Sequence, residues 1–266
     1  MTAATHPDHA REAYDEFALH YDAFTADHNY DAWTSTLETL ARRHGLRGRR
    51  MLDVACGTGK SFMPFLDRGY EVTACDVSPA MVRLARLKAG DRADVEVRDL
   101  RSLPALGKFD LVCCLDDALN YLLSPAEIAR AMAGLRRNLA PGGVVVFDTN
   151  TLASYRTFFA SLTVMPAPEQ VVIWDGHASA GFGCGEVARA TIDMLDRLRD
   201  GSWQRRRSVH YQRHYPRSVV EAALRDAGLR AAGVYGMRLD GSVTEAFAET
   251  DNSKAVYIAR HDAHRR

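Results

Sequence analysis

Apolar positions recur at helical spacing near the start of the chain. Ala13, Phe17, Leu19, Tyr21 and Phe24, followed by Trp33, Leu37 and Leu40, make one stripe, which predicts two helices within 9–44. From residue 50 the pattern becomes short apolar runs alternating with amphipathic ones. Strands are expected at 50–55, 71–76, 94–98, 109–115 and 144–148. Helices are expected at 60–67, 79–89 and 125–139. Ser78 precedes Pro79 and Ser124 precedes Pro125, an N-cap followed by proline at the first helical position. Pro141-Gly142-Gly143 reads as the stop after the third of these helices. The run 109–115 is apolar throughout, as a strand covered on both faces should be.

Residues 50–150 thus read β-α-β-α-β-β-α-β with short links, which argues a parallel sheet with helices on both faces. Ligands of such sheets sit at the carboxyl ends of the strands. Asp53, Asp76, Asp99, Asp116 and Asp148 stand at or near those ends. Beyond 150 the pattern changes to strand-like pieces at 171–174, 186–195 and 203–214, with a hairpin signal at Asp200-Gly201. A helix at 216–227 and strands at 229–237 and 254–261 follow, and "HDAHRR" reads as a frayed tail. The expected division is a helical cap (1–45), a core (46–160), an antiparallel insert over the acceptor site (161–215), and the last helix and strands of the core (216–266).

The 266 residues carry 34 Lys+Arg and 34 Asp+Glu. Zero net charge gives no sign of the basic face that a nucleic-acid partner favours. No apolar run approaches the roughly 20 residues of a membrane span, and the first residues lack a signal-type apolar stretch. The five cysteines form no C-x-x-C and read as reduced, mostly buried thiols of a cytoplasmic protein.

The chemistry concentrates in "DVACGTGKS", residues 53–61. A phosphate-binding P-loop needs G-x-x-x-x-G-K-[ST], but Val54 stands where its first glycine belongs. A dinucleotide fingerprint needs G-x-G-x-x-G. Gly57 and Gly59 supply two glycines, but Phe62 occupies the third position. Asp53 beside the turn would also repel a pyrophosphate. A ligand with a cationic amino-acid end suits the site better. Asp53 can serve its ammonium, Gly57 and Gly59 leave it room, Asp76 can accept two ribose hydroxyls, and Asp99-Leu100 can meet an adenine. Ribose, adenine and a zwitterionic amino acid without phosphate describe S-adenosylmethionine.

"LDVACGTGKSFMPFLDRGYEVTACDVSPAMVRLAR" resembles the core motif of the class I S-adenosylmethionine-dependent methyltransferases, in particular those acting on amino sugars and other natural products. The resemblance implies a Rossmann-like, seven-stranded, mostly parallel sheet ordered 3-2-1-4-5-7-6, its last strand antiparallel. It implies that Asp53, Ala55, Gly57 and Gly59 hold the amino-acid end, and that Asp76, with Val77 and Met81, holds the ribose. Asp99 and Leu100 would meet the adenine, and Leu115 would open the segment under the sulfonium. The stretch Tyr14-Asp15-Glu16-Phe17-Ala18-Leu19-His20-Tyr21-Asp22 resembles one that folds over the cofactor in small-molecule N-methyltransferases. By that resemblance Tyr21, and Tyr14 beside it, contact the methionyl end.

"CLDDALNYLL", 114–123, should face the transferred methyl. Asp116 or Asp117 could anchor an acceptor amine or take its proton, while the other caps the helix starting near Ala118. His210 and His214 lie on a predicted strand without a third ligand, so no metal is expected, and His210 is a candidate for the acceptor pocket. Arg205-Arg206-Arg207 reads as a solvated stripe, and Lys60 and Ser61 suggest no function. No Asn-Pro-Pro-Tyr type motif occurs, which argues against nucleic-acid bases as acceptors. The expected reaction is methyl transfer to a small-molecule amine, in a protein expected to be free of membrane and nucleic acid and to form a homodimer. The alternatives are O-methylation with Asp116 or a histidine as base, a nicotinamide oxidoreductase, and a non-catalytic cofactor-binding module.

Overall fold

The computed structural model describes residues 8–262. Two helices, α1 (His9–Phe24) and α2 (Tyr30–Arg43), precede the main sheet. Then come β1 (Arg50–Val54), α3 (Met63–Asp67), β2 (Glu71–Asp76), α4 (Pro79–Ala89), β3 (Ala93–Val97), β4 (Phe109–Cys114), α5 (Pro125–Asn138) and β5 (Leu139–Asn150). After α6 (Leu152–Arg156) a separate four-stranded sheet forms from β6 (Leu162–Ala167), β7 (Gln170–Gly176), β8 (Val187–Arg197) and β9 (Trp203–Arg213). The chain then returns through α7 (Arg217–Asp226), β10 (Leu229–Met237), β11 (Val243–Thr244) and β12 (Lys254–His261) to complete the main sheet.

The main sheet is ordered β11-β10-β12-β5-β4-β1-β2-β3. Strands β1 to β5 run parallel, and β12 is antiparallel to both of its neighbours. This is the expected Rossmann-like order with one short strand, β11, added at the edge. Register puts Asp53 between Ala74 and Cys113, and Lys254 beside Asn150. Two apolar cores cover the two faces of the sheet. Among the described residues no helix is long and apolar enough to cross a membrane.

Several local expectations need correction. The third sheet-covering helix stops at Asn138, and β5 runs from Leu139 straight through Pro141-Gly142-Gly143. Pairing of β5 with β4 is irregular across these residues, so the glycines deform a strand rather than end a helix. Strand β6 was not anticipated because only Met165 of it is even partly buried, so no period-2 burial signal marks it. Strand β11 is two residues long. His261 belongs to β12, whereas residues 263–266 of the expected tail lie outside the described residues.

Helix α1 joins the two sheets. Phe17 packs into a third core with Tyr155, Phe159, Trp174 and Ile192 of the smaller sheet and its approach. His20 Nε2 lies 2.8 Å from Asp196 of β8. On its other side Asp15 accepts hydrogen bonds from Ser78 Oγ (2.5 Å) and the Ala80 amide (3.2 Å) at the start of α4. Asp22 accepts one from Thr58 Oγ1 (2.5 Å) of the glycine turn. The helix is a strap over the carboxyl ends of β1 and β2.

Phe62 is fully buried. Its ring sits 2.8 Å from where a Cβ on Gly59 would be, so it fills the space beneath the turn that a third glycine would leave open. We predict that Phe62→Ala lowers unfolding free energy by about 3–5 kcal/mol in urea titration.

Candidate active site

The turn after β1 has an unusual backbone. Ala55 has φ +60°, Gly57 +53° and Gly59 +91°. A Cβ on Gly57 would meet only Tyr21, at 3.9 Å, so its lack of a side chain leaves space over the turn. For Ala55 the left-handed conformation is strained, a cost that clusters at functional sites. The carboxylate of Asp76 links this turn to the next helix. Oδ2 accepts the Gly57 amide (2.9 Å) and Oδ1 the Ser78 amide (2.9 Å). Burial nevertheless pushes its pKa up to about 6.

Asp53 lies below the turn, fully buried. Ser61 Oγ donates to its Oδ2 at 2.6 Å. Its Oδ1 has no partner among the described residues, and burial raises its pKa to about 7. Ser61 therefore has a structural role that the sequence did not suggest. So does Lys60, whose ammonium donates to the carbonyl of Thr25 (2.8 Å) at the end of α1.

A cleft opens over these residues. Ala55, Gly57, Asp76, Val77, Asp99, Leu100 and Leu115 line it, and Tyr14 and Tyr21 of α1 close one side. Of the residues expected around a cofactor, Asp53, Gly59 and Met81 do not line this cleft. Met81 is fully buried in the core. Asp99 accepts from the guanidinium of Arg101, at 2.6 Å for the shortest contact.

A second cavity is also walled by residues of α1. Tyr14, Tyr21, Asp116 and Tyr121 line both spaces and form the window between them. Asp117, His210, Gln212 and Lys254 belong to the second cavity.

The window is built around one buried lysine. Lys254 Nζ donates to Asp116 Oδ1 (2.9 Å), Asp117 Oδ1 (2.6 Å) and Asp148 Oδ2 (2.8 Å). Asp116 and Asp117 follow β4 with φ of +61° and +53°. Asp148 of β5 holds this strained pair by accepting their backbone amides, at 2.7 and 3.0 Å. Neither aspartate caps the short helix at Ala118–Tyr121, since Asp117 makes no side-chain cap bond there. That expectation is corrected. Both carboxylates turn to the lysine, whose full charge attracts them more than a partial helix dipole would.

The remaining oxygens are also satisfied. Tyr21 and Tyr30 donate to Asp116 Oδ2 at 2.9 and 3.0 Å, and Gln212 Nε2 donates to Asp117 Oδ2 at 2.6 Å. Burial alone would depress the ammonium of Lys254, but three carboxylates outweigh it and hold its pKa well above the ordinary value. Burial would raise Asp116, but Lys254 holds it below the usual carboxylate range. Asp117 is raised, by burial and by the neighbouring carboxylates. With all three ionised, one positive charge faces three negative ones, and the window is anionic.

His210 reaches the window through Tyr121. Its Nδ1 lies 2.8 Å from the Tyr121 hydroxyl, which accepts from Tyr14 at 3.1 Å, and its Nε2 lies 2.9 Å from Ser208. Burial lowers its pKa to about 3, so the ring is neutral. His214 points elsewhere, to Glu249 at 2.7 Å. Asn120 is fully buried and ties β5 to β9, accepting from the Asn150 amide and donating to the Arg213 carbonyl. In the arginine stripe, Arg205 and Arg207 clamp Asp193, and Arg206 pairs with Asp196.

Lys254 is not among the residues expected from the sequence. Those stand at the carboxyl ends of parallel strands, whereas β12 is antiparallel and delivers its first residue to the same edge. A lysine opening a strand that is otherwise largely buried was the available signal.

Comparison with known proteins agrees with this architecture. A model described as a methyltransferase domain matches residues 51–143. The ubiquinone biosynthesis O-methyltransferase of Xanthomonas euvesicatoria pv. vesicatoria is 32% identical over 206 residues, covering 76% of this chain and 71% of that protein. The dTDP-3-amino-3,6-dideoxy-alpha-D-glucopyranose N,N-dimethyltransferase of Streptomyces fradiae is 25% identical over 229 residues, 86% of this chain and 88% of that one. Among solved structures, the sugar N-methyltransferase KedS8 from a Streptoalloteichus species superposes with a TM-score of 0.72 at 25% identity, covering 97% of each chain. With the glycine turn, the strand order and these relatives together, the chain belongs to the class I S-adenosylmethionine-dependent methyltransferases.

Proposed function

We propose that the protein N-methylates a small-molecule amine, of an amino sugar or a similar natural-product intermediate. The observation that carries this reading is the anionic window, where the buried Asp148 and the partly exposed Asp116 and Asp117 surround a single lysine. Such a site attracts a cationic amine and the sulfonium alike. The names of the Streptomyces fradiae and Streptoalloteichus relatives support an amino-sugar acceptor.

The first cleft suits the cofactor. Gly57 is open above, Asp76 keeps lone pairs free beside its two amide bonds, and the orphan Oδ1 of Asp53 remains to be satisfied. In this assignment Asp53 supports the amino-acid end through the turn, together with Ala55, Gly57 and Gly59. Asp76 and Val77 take the ribose, with Met81 behind them. Asp99 and Leu100 face the adenine, and Leu115, Tyr14 and Tyr21 enclose the methionyl end. S-adenosylmethionine, when bound, supplies an electrophilic methyl group and departs as a thioether.

The chain's own residues then do three things. Tyr14, Tyr21 and Tyr121 narrow the window, so that amine and methyl meet in line and water is excluded; orientation of this kind contributes roughly 7–11 kcal/mol to barrier reduction. Asp116, held ionised by Lys254, anchors the ammonium form of the acceptor. Asp117 takes the proton that frees the nitrogen lone pair, since its raised pKa makes it the better base of the two. His210 is too weak a base for that task and fits better as the group that orients Tyr121. The segment 161–215 covers the acceptor cavity, and residues 8–45 cap the cofactor, residues 1–7 of the expected cap lying outside the described residues. A hydroxyl acceptor is the second reading, favoured by the name of the Xanthomonas relative; Asp117 would then deprotonate the hydroxyl.

The direct test is S-adenosylhomocysteine release with paired amine and alcohol acceptors. Turnover with the amines alone is expected, and turnover with the alcohols alone would overturn the reading. Asp117→Asn should lower kcat by on the order of 10²-fold without changing cofactor KM. Because protonated Asp117 cannot accept a proton, kcat should fall on the acidic side. Lys254→Met, which removes the ammonium bonded to all three carboxylates, should move that acidic limb to higher pH. Asp76→Asn should weaken S-adenosylhomocysteine binding by roughly tenfold in calorimetry, the loss of a charge-assisted hydrogen bond. Wild-type affinity should itself decline as pH falls through about 6, where Asp76 gains a proton.

A further inference from the structure

The second cavity has two unlike ends. Its inner end is the anionic window. Its outer wall is a continuous aromatic surface from α1, the approach to the small sheet and β7. Phe17 and Phe24 lie 5.2 Å apart between ring centroids, and Phe24 reaches Trp174 at 6.1 Å. Phe158 stacks on Trp174 at 4.2 Å with 21° between planes, and Phe159 meets the same indole edge-on at 5.1 Å. Phe158 remains 38% exposed, while Phe17, Phe159 and Trp174 are buried, so the aromatic wall reaches the surface through the side of Phe158 turned away from Trp174.

The charges along this cavity are equally one-sided. Among the described residues lining it, the cationic side chains are Lys254 and Arg238. Lys254 is committed to three carboxylates, and Arg238 is exposed at the mouth. His210 is neutral. Asp116, Asp117 and Asp27 contribute negative charge. A diphosphate drawn into this space would lose hydration and meet carboxylates with one solvent-exposed guanidinium to offset them. Burying an anion on those terms is costly. An apolar, flat body gains from the same wall by area and by ring stacking.

We propose that the acceptor's amine is carried on an apolar, preferably aromatic body that bears no phosphate. The nitrogen enters the anionic window while the body lies against Phe24, Phe158 and Trp174. The inference rests on the amine reading of the window. It also places the reaction in a sequence: if the amine belongs to a sugar, the class of step that precedes methylation is transfer of that sugar from its nucleotide carrier onto an apolar aglycone.

The test is calorimetric titration of the full chain, saturated with S-adenosylhomocysteine, using tryptamine, tryptophol, glucosamine and uridine diphosphate glucosamine. Tryptamine should bind on the order of tenfold more tightly than either sugar, and Phe158→Ala should remove most of that advantage. Equal affinities for tryptamine and glucosamine, no binding of tryptamine or tryptophol, or tighter binding of the nucleotide sugar would overturn the proposal. Tryptophol bound as well as tryptamine, and both above the sugars, would sink the amine reading and leave the apolar body standing. Uridine diphosphate glucosamine bound best would do the reverse.

Discussion

The site depends on one lysine among three carboxylates. Asp116 and Asp117 occupy left-handed backbone conformations that cost of order 1–3 kcal/mol each for residues other than glycine. They are kept there because Asp148 accepts both of their amides and Lys254 binds all three side chains. The arrangement aims two carboxylates of unlike basicity at the window between the clefts. Remove the ammonium and three closely spaced negative charges face one another. Remove Asp148 and the turn loses both of its backbone acceptors. Chemistry and local fold are therefore coupled at the junction of β4, β5 and β12.

The same window depends on a helix from outside the sheet. Tyr14 and Tyr21 reach it only because α1 is held on both sides. Asp15 and Asp22 tie α1 to the glycine turn and to α4, while Phe17 and His20 tie it to the small antiparallel sheet. Both cavities share α1 as a wall. A shift of that helix would be felt at the glycine turn and at the aromatic bay together, since packed elements transmit displacement rather than absorb it. The two cavities are thus joined through one element.

Much of the core was legible from local signals. Strand β2, helix α4 and strands β10 and β12 have the expected boundaries, because proline, glycine and serine mark their ends and their apolar runs are short. The glycine turn, with Asp53 and Asp76 around it, could be weighed against two other nucleotide motifs by spacing alone, and Phe62 decided one of them. What failed locally failed for physical reasons. Pro141-Gly142-Gly143 looks like a break, but a parallel neighbour pairs the strand on either side of it. Strand β6 is exposed along nearly all its length and is held by pairing with β7, an interaction that leaves no periodic trace in the sequence.

The sequence by itself determined the α/β core, the glycine turn and the candidate aspartates, since each is written in neighbouring residues within one strand-turn-helix unit. Only the tertiary structure decided what those aspartates face. Lys254 lies 137 residues beyond Asp117, and Gln212 and His210 arrive from a different sheet. Their placement depends on the antiparallel direction of β12 and on how the small sheet packs against α1. Contacts of that kind are set by burial and charge across the whole molecule, and no local pattern encodes them.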